Sequence, residues 1–400
     1  MKSASKIETP ADAGAAPVTR PGGFGPLPEC VELPDPSTPL DARCIPAHGA
    51  VYAFLDSERQ LIQLLSAQNL RRAAALRLSR PVEGPASRRA ELRSIARFLC
   101  WKPTWSAFES ALEFLRAARE LMPQTYAEQL AFGPVWFAHV DPTERLPRWL
   151  PRQTAFDTGG VSIGPFDRRR RCADFIADLE DVFDLCRYFH ILEQAPDGVA
   201  CAYFDMGKCP APCNGSISLD QYRGMMHASL AFARGACDQR LAELQHRMHA
   251  AAQSLRFEEA AAVRQTLERA TKCQARAGRL CGEADDFVYL VVQRGPKRSL
   301  VRPFFVNRGA IEVGDDVRLD AVEQKLPGWA ERLLAIGGSP ALDAKLRSEH
   351  VWLVCHFLNK SEAAAGAFLH FSNLRDRAAA KARIRARFTP EPRRRSGARA

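Results

Sequence analysis

The sequence predicts an α+β fold assembled from small modules in series, and three observations carry that reading. Two short apolar runs, Gly49–Asp56 and Gln60–Leu65, flank a charged turn and read as paired strands. Four cysteines, Cys186, Cys201, Cys209 and Cys213, crowd into one short segment. Beyond them, Leu241, Leu244, Met248, Ala251 and Leu255 recur at spacings of three and four, the seam of a helix that packs on another helix. A chain of 400 residues with 46% hydrophobic content buries a core and divides into several domains.

Residues 1–40 are rich in Pro, Gly, Ala and Ser without hydrophobic periodicity and are expected to be a disordered lead-in. The module 41–127 joins the strand pair to helices expected over Asn69–Leu78, Arg88–Leu99 and Ser106–Leu121. A linker and the cysteine segment follow over 128–217, with a strand at Val135–Val140. Ser218-x-x-Gln221 has the form of a capping box and opens a helical region, 218–275, whose first helix is expected to run to about Leu255. The next helix sets Phe257, Ala260, Ala261, Arg264 and Leu267 on one side, and the small alanines let the two approach closely as a hairpin. A small β meander over 283–316 precedes a helical region, 317–388, and a basic tail, 389–400.

The net charge of +10 is concentrated at one end. From Arg375 onward ten basic residues face two acidic ones, leaving the body only slightly basic. Such a tail holds phosphates without sequence preference and in a salt-sensitive way. A second cationic run, Arg168, Arg169, Arg170 and Arg171, follows Gly164-Pro165 and is a candidate clamp for a nucleic-acid backbone. Neither a signal peptide nor an apolar membrane span is visible, so the expected compartment is the cytoplasm, with no membrane partner.

In a reducing compartment the twelve cysteines are thiols, and eight of them, including Cys30 and Cys100, look scattered. The other four are spaced Cys186-x14-Cys201-x7-Cys209-x3-Cys213 around a Cys-Pro-Ala-Pro-Cys turn. Four thiolates suit zinc or an iron-sulfur cluster by softness and number, and Pro210 and Pro212 pre-set the backbone between the last two.

The segment Cys201-Ala-Tyr-Phe-Asp-Met-Gly-Lys-Cys209-Pro-Ala-Pro-Cys213-Asn-Gly215 resembles the cysteine-rich segment of the UvrC and Cho-type excision-repair nucleases. The stretch Met248 to Arg264, with Leu255, Phe257, Glu258, Ala260 and Ala261, is similar to the UVR motif of UvrC and UvrB. Glu144–Arg148 and Gly164–Phe166 match the family's linker landmarks, so the resemblance covers roughly residues 45 to 315. It implies an iron-sulfur cluster, most simply 4Fe-4S, on the four cysteines, with zinc as the alternative. It also implies DNA as a ligand and a UvrB-type partner docking on Phe257, Glu258, Ala261 and Arg264.

The same resemblance implies a GIY-YIG nuclease module at the N-terminal end, where tyrosines, an arginine and a glutamate surround one divalent metal. That chemistry needs a carboxylate for the metal and a cation for the developing phosphate charge. Tyr52 retains the first tyrosine, but the family's second tyrosine, its glycine and the following lysine read Gln63, Leu65 and Ser66. The catalytic arginine position reads Ala73 and the metal-binding glutamate position reads Phe114. Arg71 and Glu113 lie near these positions and, with Tyr52, are the remnants of a site that would take Mg²⁺ or Mn²⁺. The family's second nuclease is not expected before Ala400. The expectation is therefore a nuclease-deficient repair protein, with two alternatives: a Cho-like enzyme making a single incision, and a regulator outside repair acting through the hairpin.

Overall fold

The computed structural model describes residues 22–38, 40–79, 92–130, 134–156, 159–277, 282–336, 342–358 and 366–388. The basic tail and residues 1–21 of the lead-in lie outside these. The chain forms two compact units, Met1–Gln129 and Leu130–Ala400, each with mixed helix and sheet as the α+β expectation required.

In the first unit, β1 (Glu29–Glu32), β2 (Gly49–Leu55), β3 (Leu61–Ala67) and β4 (Phe98–Thr104) form an antiparallel sheet in the order β1-β4-β2-β3. Helix α1 (Leu70–Leu78) begins at Asn69, whose side chain accepts the Arg72 amide. The helix lays Leu70, Ala74 and Leu78 on the sheet face carrying Tyr52, Phe54, Leu99 and Trp101. After the single turn α2 (Leu92–Ile95), α3 (Ala107–Leu121) starts at Ser106, which caps Glu109. It covers the other face, where Lys102 meets Glu113, and α4 (Tyr126–Gln129) closes the unit.

Three sequence expectations change here. The lead-in contributes β1, which was too short a run to stand out. The helix expected over Arg88–Leu99 is only α2 among its described residues, because Phe98–Thr104 is drawn into the sheet between β1 and β2. There its alternate side chains are buried on opposite faces, and tertiary pairing overrides local preference. Cys30 and Cys100 are not scattered: they face each other across β1 and β4 and are joined by a disulfide.

The second unit opens with β5 (Trp136–Val140), β6 (Leu150–Arg152) and β7 (Val161–Phe166). Together with the later β8 (Gly282–Glu283) they form a sheet ordered β6-β5-β7-β8, so the stretch read as a linker is an organised layer. Helix α5 (Arg169–Val182) packs on it through Cys172, Phe175, Ile176 and Leu179. The cysteine segment follows, with two single helical turns, α6 (Phe189–Leu192) and α7 (Ala202–Asp205).

The capping box forms as expected: Ser218 accepts the Gln221 amide while Gln221 accepts the Ser218 amide. The helix it opens does not reach Leu255. It stops as α8 (Leu219–Ala233), and the chain restarts as α9 (Asp238–Gln253). Gly235, at φ +107°, supplies a backbone state that other residues avoid and turns the chain between them. Helix α10 (Phe257–Ala277) completes the antiparallel hairpin with α9.

The meander of β9 (Val288–Arg294), β10 (Leu300–Asn307) and β11 (Ala310–Val313) forms with antiparallel register. It is not a separate module. β12 (Val317–Arg318) pairs with β10, and the C-terminal region supplies β13 (Ala367–His370) to the other side of β9. Two helices of that region, α11 (Val322–Ile336) and α13 (Arg377–Phe388), bury Leu326, Trp329, Leu333, Ile384 and Phe388 against this sheet. Between them lies α12 (Ala344–Leu358), whose Arg347 carbonyl presses against Gly309, where a side chain would collide.

One long-range contact reports on the whole second unit. The buried Trp149 indole donates to the Ser229 hydroxyl of α8 at 3.0 Å, eighty positions along the chain. Ser229→Ala leaves that N–H without a partner, and we expect a loss of about 1–3 kcal/mol in urea unfolding with an unchanged m-value. An unchanged midpoint would show that the indole is satisfied in another way.

Candidate metal centre

The cysteine segment is shaped by its prolines and by backbone turns that most residues avoid. Ala211, between Pro210 and Pro212, has φ +53°, and Gly215 just beyond Cys213 has φ +77°. Cys209 and Cys213 are thereby brought back toward Cys186 at the end of α5 and are buried, while Cys186 and Cys201 are half-buried. All four are free of disulfide bonding.

The thiols influence one another. Cys186 shares a hydrogen bond with Cys209 and keeps its proton, pushed up by that bond and by burial. Cys209 is pulled down to about 6, chiefly because it accepts the bond from Cys186. Cys213 is raised by burial and by the charge on Cys209, and it also feels Cys201. The four thiols are soft donors of the kind that thiolate-bound metal groups use, and Cys186 and Cys209 are in contact. Among the described residues, however, no three His, Cys, Asp or Glu side chains are already arranged to hold a metal ion.

The frame around the thiols is more specific than the sequence suggested. Arg187, next to Cys186, donates to the Lys208 carbonyl at 3.2 Å, next to Cys209, and its guanidinium lies 4.5 Å over the Tyr203 ring. The same guanidinium pairs with Asp181 of α5, whose other carboxylate oxygen pairs with Arg269 of α10. Sequence reading passed over Asp181, Arg187 and Arg269. Only the adjacency of Arg187 to Cys186 offered a signal. Glu180, one residue before Asp181, is raised to about 7 by burial, with the neighbouring Asp181 adding to the rise against the pull of Arg187.

The hairpin residues expected to meet a partner, Phe257, Glu258, Ala261 and Arg264, are all exposed. Phe257 is 65% exposed and Leu255, at the turn with φ +56°, is 73% exposed. The hairpin is anchored instead through Leu244, Val263, Ala270 and Cys273, in the same core as α5 and α8. Arg264 pairs with Glu268 on its own helix, at 3.6 Å.

The four arginines expected to clamp a nucleic-acid backbone are exposed as well, but they do not line one face. Arg168 is the residue before α5, and Arg169, Arg170 and Arg171 form its first turn. Successive helical residues are rotated by about 100°, so these side chains fan around the helix start. Arg169 lies 5.8 Å from the Trp136 ring centre, and Arg171 pairs with Asp167 at 2.8 Å. Arg170 points into solvent between them, so the clamp read from the run of four is a looser cationic collar.

Tyr52, Arg71 and Glu113, expected from the resemblance to form a nuclease site, are not brought together. Tyr52 is buried on the α1 face of the first sheet, where Arg77 hydrogen-bonds it and also donates to Gln63 at 2.9 Å. Arg77 is one turn beyond Ala73 on the same side of α1, so the i+4 spacing would have found it. Arg71 turns away and donates to the Ile45 carbonyl at 2.7 Å. Glu113 lies on the opposite, α3 face, held by Lys102 at 2.6 Å and Arg116 at 3.0 Å.

Comparison with known families fits this geometry. The model of the UvrC/Cho excinuclease middle domain matches residues 135–232, from β5 through α8. The model of the UvrB/uvrC motif matches residues 238–270, the α9–α10 hairpin. Across these two segments the chain is similar to the UvrC/Cho family. It is similar to proteins named UvrABC system protein C. That of Dehalococcoides mccartyi strain CBDB1 is 28% identical over 188 residues, 46% of this chain and 30% of the relative. That of Syntrophotalea carbinolica is 32% identical over 148 residues, 35% and 24%. That of Kocuria rhizophila is 24% identical over 285 residues, 70% and 41%. The matched stretch thus spans well under half of each of these relatives. No solved structure matches the chain. No described helix is long and apolar enough to cross a membrane.

Glu180 yields a pH test of the frame. A carboxyl whose native pKa lies above its unfolded value binds more protons folded than unfolded, so its contribution is complete below about 4.5 and is lost as pH rises through about 7. Glu180→Gln is expected to raise the urea midpoint at pH 8 relative to the parent chain, and to leave it unchanged at pH 4. Equal effects at both pH values would mean that Glu180 is not held protonated.

Proposed function

We propose that this chain serves nucleotide excision repair as a UvrC-like protein that binds DNA and a UvrB-type partner, without itself cutting DNA. The observation that carries this reading is the separation of Tyr52 and Glu113 onto opposite faces of one sheet, each already committed to structural partners. A metal-dependent phosphodiester cut needs its carboxylate and its cation on one side of the scissile group. Here the carboxylate is neutralised by Lys102 and Arg116, and Gln63, Ala73 and Phe114 occupy the family's remaining catalytic positions.

The exposed Phe257 and Leu255 at the hairpin turn support the partner half of the reading, because apolar side chains left in water on a helical hairpin suit docking onto another helical element. The relatives' name, UvrABC system protein C, suggests UvrB as the type of partner. Arg168, Arg169, Arg170 and Arg171 supply exposed cations for a DNA backbone. Cys186, Cys201, Cys209 and Cys213 would hold an iron-sulfur cluster, with zinc the alternative, and such a group would cross-link the segment that follows α5. The chain would work in the cytoplasm.

Three measurements bear on this. With lesion-bearing duplex and Mg²⁺ or Mn²⁺, no nicking is expected; robust cutting abolished by Glu113→Ala would overturn the proposal in favour of a Cho-like enzyme. Binding to a UvrB-type protein should weaken about tenfold to a hundredfold in Phe257→Ala, the scale set by burying a large apolar side chain at about 1.5–3 kcal/mol. No binding by the parent chain would favour a regulator outside repair. Anaerobically purified protein should contain iron and absorb broadly in the visible, both lost in Cys209→Ser. Stoichiometric zinc in a colourless protein would select the alternative metal.

A further inference from the structure

From the ion pairs at the end of α5 we infer that Asp181 is a positioning residue that fastens the root of the α9–α10 hairpin to the cysteine segment, making presentation of the hairpin turn depend on how the four thiols are held. This rests on the proposed role of the hairpin as a docking element and deepens it into a mode of regulation.

The argument begins with the hairpin's support. Among the described side chains of α10, Val263, Ala270 and Cys273 are the buried apolar ones, and they lie in the middle and distal part of the helix. Phe257 lies 13 residues before Ala270, a distance along the helix of about 20 Å at 1.5 Å per residue. Val263 holds the helix about 9 Å from Phe257, and the contacts around Ala270 set the angle at which the helix meets that hold.

The root carries one distinctive polar bond. Arg269, beside Ala270, pairs with Asp181, and Asp181 pairs at its other oxygen with Arg187. Arg187 is only 13% exposed and Asp181 25%, so water screens the pair less than an ordinary surface ion pair. Arg187 then donates to the Lys208 carbonyl and stacks on Tyr203, both within the cysteine segment. Its backbone neighbour is Cys186, and that of Lys208 is Cys209. The path from thiols to hairpin is therefore a short chain of charge-assisted bonds: Lys208 carbonyl, Arg187, Asp181, Arg269.

Each link constrains the next. A guanidinium that must meet a carbonyl, a ring face and a carboxylate at once has one satisfactory position, which moves with the backbone around Cys186 and Cys209. If the thiols separate, Arg187 cannot keep both Lys208 and Asp181, and Asp181 loses the partner that aims its second oxygen at Arg269. The apolar contacts of Val263 and Cys273 keep the hairpin attached, so the expected result is loosening rather than release.

Hydrogen exchange on the full-length chain tests this. Asp181→Ala should raise exchange about tenfold or more both in residues 187–209 and in residues 263–273, with Asp181→Glu restoring protection. Arg269→Ala should loosen 263–273 while leaving 187–209 protected. Treating the parent chain with a metal chelator should raise exchange in both segments, whereas in Arg269→Ala it should raise exchange only in 187–209. If Asp181→Ala disturbs only the end of α5, or if chelation opens 187–209 in the parent chain and leaves 263–273 unchanged, the coupling is refuted. A chelator without effect on either segment would count against the metal reading alone, because the comparison of untreated variants still decides the role of Asp181.

Discussion

The second unit depends on one helix whose single buried face serves several neighbours. The apolar positions of α5, Cys172, Phe175, Ile176, Leu179 and Val182, belong to the core shared by the β5–β7 sheet, α8 and the α9–α10 hairpin. A helix asked to serve several neighbours has little surface left for charge in its second half, and the charges that remain there must be paired. Asp181 is paired twice. Arg240 of α9 donates to the Val182 carbonyl at 3.2 Å, satisfying a helix-end acceptor that would otherwise be stranded. Glu180, buried beside the already paired Asp181, responds by holding its proton. The charged first turn, Arg169, Arg170 and Arg171, is left at the exposed end.

The first unit is governed by strand alternation. Because side chains on a strand point to opposite faces in turn, Tyr52 and its neighbour Val51 face α1 and α3 respectively, and Lys102, paired with Val51, must share the α3 face. A carboxylate on α3 can therefore answer Lys102 but cannot reach the Tyr52 hydroxyl through the sheet. A metal-dependent phosphodiester cut on the Tyr52 side would require both a cation and a carboxylate there. Arg77 is already there with Gln63. A tyrosine and a cation thus share one face, while Glu113 lies on the other.

Much of this was readable in advance because it rests on local signals. The β2–β3 hairpin, the Asn69 and Ser106 helix starts, the Ser218 capping box and the meander all follow from period and capping within a few residues. The failures share a different cause. Phe98–Thr104 becomes a strand because β1 and β2 lie ready on either side of it, and β13 becomes one because β9 offers a free edge. In both cases the deciding neighbour is remote in sequence. The break at Gly235 had a local signal, a glycine between two helical patterns, outweighed by the apolar seam that follows it. The four cysteines stood out by density, whereas Asp181 and Arg269, 88 positions apart, had no spacing rule to join them.

The hairpin shows why the remote links matter. Its sequence has the three-four seam of a self-sufficient pair of helices, yet Leu255, the last member of that seam, is exposed at the turn and only Leu244 and Ala251 among its five positions are fully buried. Two helices meeting along such a thin stripe have little core of their own, so their stability comes from the surface on which they rest. That surface is α5 and α8, which are joined through the cysteine segment. An exposed apolar turn on a support of this kind has its affinity for a partner set partly by what the turn presents and partly by how firmly the root is held, since any disorder at the root must be removed on binding. The cysteine segment and the hairpin, matched by two separate family models, are on this account one mechanical element: the first limits the freedom of the second.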